Sequence, residues 1–112
     1  MSDYQYLNKY KIITLCGSTK FKSDFDRINK ELTLNNKIIL QPGCYVHNDN
    51  IIISEEEKIN LDILHKEKIL MSDCIFVINK NNYIGSSTKS EIEYATELNK
   101  PIFYMENIFL SH

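Results

Sequence analysis

The chain has 112 residues, 43% hydrophobic and 25% charged, with a formal net charge of -2. That size fits one domain with a real core, and this hydrophobic content argues against disorder. Arg27 is the only arginine and no basic stripe appears, which disfavours a groove for a nucleic-acid polymer.

No apolar run approaches the ~20 residues of a membrane span, and the first ten residues carry no apolar signal region. Cys16, Cys44 and Cys74 form no paired spacing and no zinc or redox motif. Reduced thiols in a cytoplasmic protein are the expectation.

Short apolar runs alternate with helical patterns. Residues 11-16 form the first run, ended by Gly17, and residues 20-34 place Phe21, Phe25, Ile28 and Leu32 at helical spacing. Residues 37-41 form a second run, ended by Pro42-Gly43. The connection over 42-54 is long, and reads as a binding loop, a small extra strand or a surface packing segment. Ser54-x-x-Glu57 then caps a helix over 55-71, with Ile59, Ile63 and Leu70 expected on its core-facing stripe and Leu64 beside it. Residues 74-79 form a third run, a helix follows over 89-99, and residues 101-105 form a fourth run.

Continuous β-branched runs alternating with helices predict βαβ units and a parallel sheet. The expected fold is a single-domain α/β, flavodoxin-like or Rossmann-like three-layer sandwich over 1-112, with a mostly parallel sheet of four to five strands.

Ligands of such sheets bind beyond the carboxyl ends of the strands. Gly17, Gly43 and Gly85, the only three glycines, fall in the loops leaving those ends. Gly17-Ser18-Thr19-Lys20 offers backbone N–H groups, two hydroxyls and an ammonium to an anion, although Ser18 or Thr19 also reads as a plain helix cap. It is neither a Walker A loop nor GxGxxG. Gly85-Ser86-Ser87-Thr88 makes a second hydroxyl-rich loop before a helix. Together they suggest a site for a phosphate or sugar.

Glu91 shares a helical stripe with Ala95 and Leu98, whereas Glu93 and Glu97 fall on the solvent side. Glu91 therefore points inward, or else completes a capping box with Thr88. On the preceding helix Asp62 and His65 lie three apart, on one face. His65 reads either as a partly buried structural histidine or as an acid/base suited to neutral pH. His47 is a weaker candidate of the same kind.

The order of these pieces resembles the nucleoside 2-deoxyribosyltransferase-like superfamily, which includes deoxynucleoside 5′-monophosphate N-glycosidases. The resemblance spans about residues 11-106: Cys16-Gly17-Ser18-Thr19, Leu64-His65-Lys66, Ser72-Asp73-Cys74-Ile75-Phe76-Val77, Tyr83-Ile84-Gly85-Ser86-Ser87-Thr88, Ser90-Glu91-Ile92-Glu93-Tyr94-Ala95 and Lys100-Pro101-Ile102. It implies an enzyme that hydrolyses or transfers an N-glycosidic bond of a (deoxy)nucleoside or nucleoside 5′-monophosphate. Glu91 matches the nucleophile that forms a glycosyl-enzyme ester. His65, where family members commonly carry an aspartate, would be the acid/base with Asp62. Gly17, Ser18, Thr19, Lys20, Gly85, Ser86 and Ser87 would hold the sugar or phosphate, Ser86 and Ser87 replacing an acidic base-contacting residue of the true transferases. No metal and no cofactor is needed. The family association also implies a homodimer or higher homo-oligomer. A non-catalytic nucleotide-binding or sensing module of the same fold is the alternative. In a third reading, a protein-interaction domain, Tyr4, Tyr6, Tyr10, Phe109 and Leu110 serve as interface residues, although they equally read as ordinary packing. Fold alone does not separate these readings.

Overall fold

A computed structural model describes residues 4-106. Four strands, β1 (Ile12–Gly17), β2 (Ile38–Leu40), β3 (Cys74–Ile78) and β4 (Ile102–Tyr104), form one parallel sheet in the order β2-β1-β3-β4. Helix α1 (Lys22–Leu34) joins β1 to β2, α2 (Glu55–Met71) joins β2 to β3, and α3 (Ser86–Glu97) joins β3 to β4. This is the expected α/β layering of a flavodoxin-like or Rossmann-like sandwich, with four strands among the described residues.

The period-2 alternation of a strand divides the core. Ile13 and Leu15 of β1, with Cys74, Phe76 and Ile78 of β3, meet Phe25, Ile28 and Leu32 of α1 on one face. Cys16, Ile75 and Val77 point to the other face and meet Ile69 of α2 and Ala95 of α3. The chain steps outward one way from β1 to β2 and the other way from β3 to β4. The switch point, where ligands of this architecture bind, therefore lies between the carboxyl ends of β1 and β3.

Several expectations need correction. The apolar stripe of α2 does not face the core: Ile59, Ile63, Leu64 and Leu70 are each more than half exposed, and the buried residues of this helix are His65 and Ile69. Periodicity located the helix but not its rotation, because α2 carries apolar residues around much of its circumference. Its amino end is as expected. Ser54 and Glu57 form a reciprocal capping box, with Ser54 N–H donating to Glu57 at 2.9 Å and Glu57 N–H to Ser54 Oγ at 3.1 Å. Helix α3 begins at Ser86, earlier than the pattern suggested. Its N-cap is Gly85, and Thr88 is a buried residue inside the helix. The Thr88–Glu91 capping box does not form.

Residues 42-54 make turns and irregular backbone, not an extra strand. The segment is anchored by buried Tyr45, whose ring packs edge-on against Phe25 with centroids 5.4 Å apart. Tyr4 packs on Phe76, and both Tyr6 and Tyr10 pack on Phe103, so these tyrosines contribute to packing within the chain. Phe109 and Leu110 lie outside the described residues. Among the described residues no helix is long and apolar enough to cross a membrane.

The glycines owe their places to different causes. Among the described residues none has positive φ; that conformation falls to Asn36, Asn50, Asn81, Asn82 and Asn99. Asn36 and Asn99 end α1 and α3 in Schellman motifs. Asn36 N–H bonds the Thr33 carbonyl at 3.0 Å and Lys37 N–H the Leu32 carbonyl at 3.1 Å, while Asn99 and Lys100 bond Thr96 and Ala95 in the same way. Gly17 is required by strand pairing: a Cβ there would stand 2.7 Å from the Ile78 backbone oxygen. Backbone cannot swing aside, so Gly17→Ala is expected to cost about 1–3 kcal/mol in urea unfolding. A loss below a few tenths would show that β1 and β3 separate freely. A Cβ on Gly43 would meet nothing within 4 Å, and no function attaches to that residue.

Candidate active site

Three buried polar side chains converge where β1, α2 and α3 meet. Cys16 is the penultimate residue of β1 and points to the face covered by α2 and α3. His65 comes from the inner side of α2 and Glu91 from the inner side of α3; they are 7% and 9% exposed. His65 Nε2 lies 3.6 Å from Glu91 Oε1. That is too long for a hydrogen bond, and the contact is an ion pair only when His65 is protonated. One ligand-type atom from each of Cys16, His65 and Glu91 lies within 4.8 Å of the others. Among the described residues, Glu91 Oε1 and both ring nitrogens of His65 lack hydrogen-bond partners.

Burial governs the charge of these groups. It pushes the Glu91 carboxyl up from 4.5 to about 7, a nearby Asp62 charge adding to the effect and the Cys16 thiol and Lys66 opposing it. It pulls His65 down from 6.5 to about 4, assisted by Lys68 and opposed by Asp62 and the Leu15 backbone. It holds the Cys16 thiol well above its ordinary value, reinforced by Glu91. At neutral pH the histidine is therefore an uncharged imidazole. Of the two readings of His65, burial and this lowered value favour the buried histidine over an acid/base that titrates near neutrality.

The two shifts have opposite linkage. Folded Glu91 keeps a proton between pH 4.5 and about 7 that the unfolded chain has released, so its contribution to stability is lost as pH rises through that window. Folded His65 has released a proton that the unfolded chain still holds between about 4 and 6.5, so its contribution is lost as pH falls through that window. The terms oppose each other in wild type. Glu91→Gln removes the first, so the variant should gain up to about 3 kcal/mol relative to wild type as pH rises from 4.5 to 7, at ~1.4 kcal/mol per unit. Urea unfolding across this range measures the difference; parallel pH profiles for the two proteins would contradict it.

Asp62, Lys66, Ser87, Ser90 and Glu91 line a cavity of about 40 Å³ between α2 and α3. Pockets that enclose a drug-sized ligand run to ~300 Å³ or more. A nucleoside would thus have to lie across the groove, with only its reacting part at Glu91. Asp62 is half-exposed and pairs with Lys58 at 3.4 Å.

The fold brings only some of the expected residues together. Glu91, His65, Asp62 and Ser87 lie at or beside the cavity. Gly85 and Ser86 begin α3, without lining it. Ser18 Oγ accepts from Lys20 N–H at 3.3 Å, capping a short 3-10 turn. Thr19 Oγ1 meets His47 Nδ1 at 2.8 Å, tying the loop after β1 to the 42-54 segment. The Lys20 ammonium sits 3.7 Å from the Tyr83 ring centre, joining the loops after β1 and β3. These residues and Gly17 lie at the switch point but not on the cavity wall.

Cys16, Lys66 and Ser90 were not singled out in advance. Strand alternation carried a signal for Cys16, since it shares a face with Thr14, whose hydroxyl bonds the Lys68 carbonyl at 3.0 Å. Lys66 and Ser90 adjoin His65 and Glu91 in sequence, but only helix rotation decides that they line the groove.

A comparison with protein-family models finds no match, and a search of curated proteins finds none.

Proposed function

We propose that this chain cleaves or transfers the N-glycosidic bond of a nucleoside or nucleoside 5′-monophosphate, with Glu91 as nucleophile. The observation that carries the reading is Glu91 itself. It is a buried carboxyl on an inward helical face, it caps no helix, and it opens onto a cavity rather than onto a fixed cation. A buried carboxyl costs stability unless it is compensated, and such costs concentrate at functional sites.

In the proposed reaction one Glu91 oxygen attacks the anomeric carbon as the C–N bond breaks. The base departs with the bonding pair and takes a proton from solvent water entering on the Asp62 and Lys66 side of the groove. Water or a second base then displaces Glu91 from the ester. His65, neutral at pH 7, stands beside the carboxylate and is not the store of the leaving group's proton. The chain's Ser87 and Ser90 hydroxyls suit a sugar or phosphate edge.

Incubation with a panel of nucleosides and their 5′-monophosphates, followed by chromatography, tests the reading. Free base is the expected product. Tight binding of a ligand that remains intact would instead make the chain a nucleotide-binding module.

A further inference from the structure

We propose that Cys16, His65 and Glu91 form a three-ligand site for a zinc ion between β1, α2 and α3. The three residues come from separate elements, all are buried, and each aims one sulfur, nitrogen or oxygen into the same space, these atoms lying within 4.8 Å of one another. Two ligands held ~2.1 Å from a tetrahedral zinc stand ~3.4 Å apart; His65 Nε2 and Glu91 Oε1 are 3.6 Å apart. Small side-chain movements bring the third atom into range.

Hydrogen bonding supplies an independent reason. Buried polar atoms nearly always have partners, yet neither ring nitrogen of His65 nor Glu91 Oε1 makes a hydrogen bond of good distance and angle among the described residues, the Leu15 backbone and the Cys16 thiol being no more than neighbours. A cation satisfies the Glu91 oxygen and one His65 nitrogen at once. Thiolate, imidazole and carboxylate together are a zinc donor set, the soft sulfur disfavouring calcium and magnesium. On binding, the Cys16 thiol releases its proton to solvent and the sulfur lone pair forms the metal bond. The dication then neutralises a thiolate and a carboxylate.

This site goes beyond the glycosyl reading and excludes it in the same molecule at the same moment, since a metal-bound Glu91 oxygen is not free to attack a sugar. It also departs from the metal-free expectation drawn from the sequence.

The full chain, stripped with a chelator, is titrated with Co²⁺ and then Zn²⁺. One equivalent of cobalt should bind with a thiolate-to-cobalt charge-transfer band in the near ultraviolet, and zinc should displace it. Cys16→Ser should remove the band, and His65→Gln should weaken binding on the order of 100-fold. Circular dichroism confirms that the variants fold. If His65→Gln fails to fold, Glu91→Gln, read by the same titration, takes its place. Absence of the band in wild type, or unchanged affinity in folded variants, overturns the site. Base release by the chelated protein is scored separately: metal binding without base release sinks only the glycosyl reading, and base release without metal binding sinks only the zinc site.

Discussion

Glu91→Gln is expected to lower base release on the order of 10³-fold or more while the protein stays folded. The amide keeps the shape of the side chain and removes the nucleophilic oxygen. The effect should fall on kcat, because the groove residues Asp62, Lys66, Ser87 and Ser90 remain to bind substrate. Wild-type activity should rise with pH through about 7, since burial keeps half of the Glu91 carboxyl protonated there and only the carboxylate attacks. Release of base by Glu91→Gln at a wild-type rate removes Glu91 from the chemistry, whatever else the groove does.

Phe25→Ala is expected to cost about 3–5 kcal/mol, a large share of the ~5–15 kcal/mol typical of a domain. Phe25 is fully buried, and its loss opens a cavity between α1 and the sheet. The ring also stands 3.4 Å from where a Cβ on Gly17 would lie and supports Tyr45, the anchor of the 42-54 segment. Truncation should thus lower the urea midpoint and increase proteolysis within 42-54. A loss near 1 kcal/mol would mean that Tyr45 and Ile28 collapse into the space.

The contrast between these sites shows what could be read without coordinates. Phe25, Ile28 and Leu32 sit at helical spacing among polar neighbours, so their burial follows from one amphipathic helix. Helix α2 gave no such guidance. Its isoleucines and leucines surround it, and which side meets the sheet depends on the surfaces offered by β1 and α3. The sequence therefore placed Ile59 and Ile63 inside when they lie outside, and left His65 at the margin when it is buried. Glu91 was legible because α3 separates its three glutamates between two faces. Its partners were not, since Cys16, His65 and Glu91 come together only through the layering of β1, α2 and α3.

Glycine scarcity pointed to the carboxyl edge of the sheet, but not for the reason that applies there. Gly85 does lie in the loop leaving β3, whereas Gly17 is the last residue of β1 itself. Yet asparagines supply the left-handed turns, and Gly17 is needed for the close approach of β3.

By itself the sequence determined the alternation of strands and helices, hence the parallel α/β layering, because the short β-branched runs suit strands buried on both faces. It also narrowed Glu91 to an inward aim or a capping box with Thr88, a matter of spacing along a single helix, and the structure chose the first. The tertiary structure alone decided the rotation of α2, the neutral state of His65 and the closing of a thiol, an imidazole and a carboxyl around one point. Those are properties of separate elements packed together, and no local pattern encodes the distance or the dielectric between them.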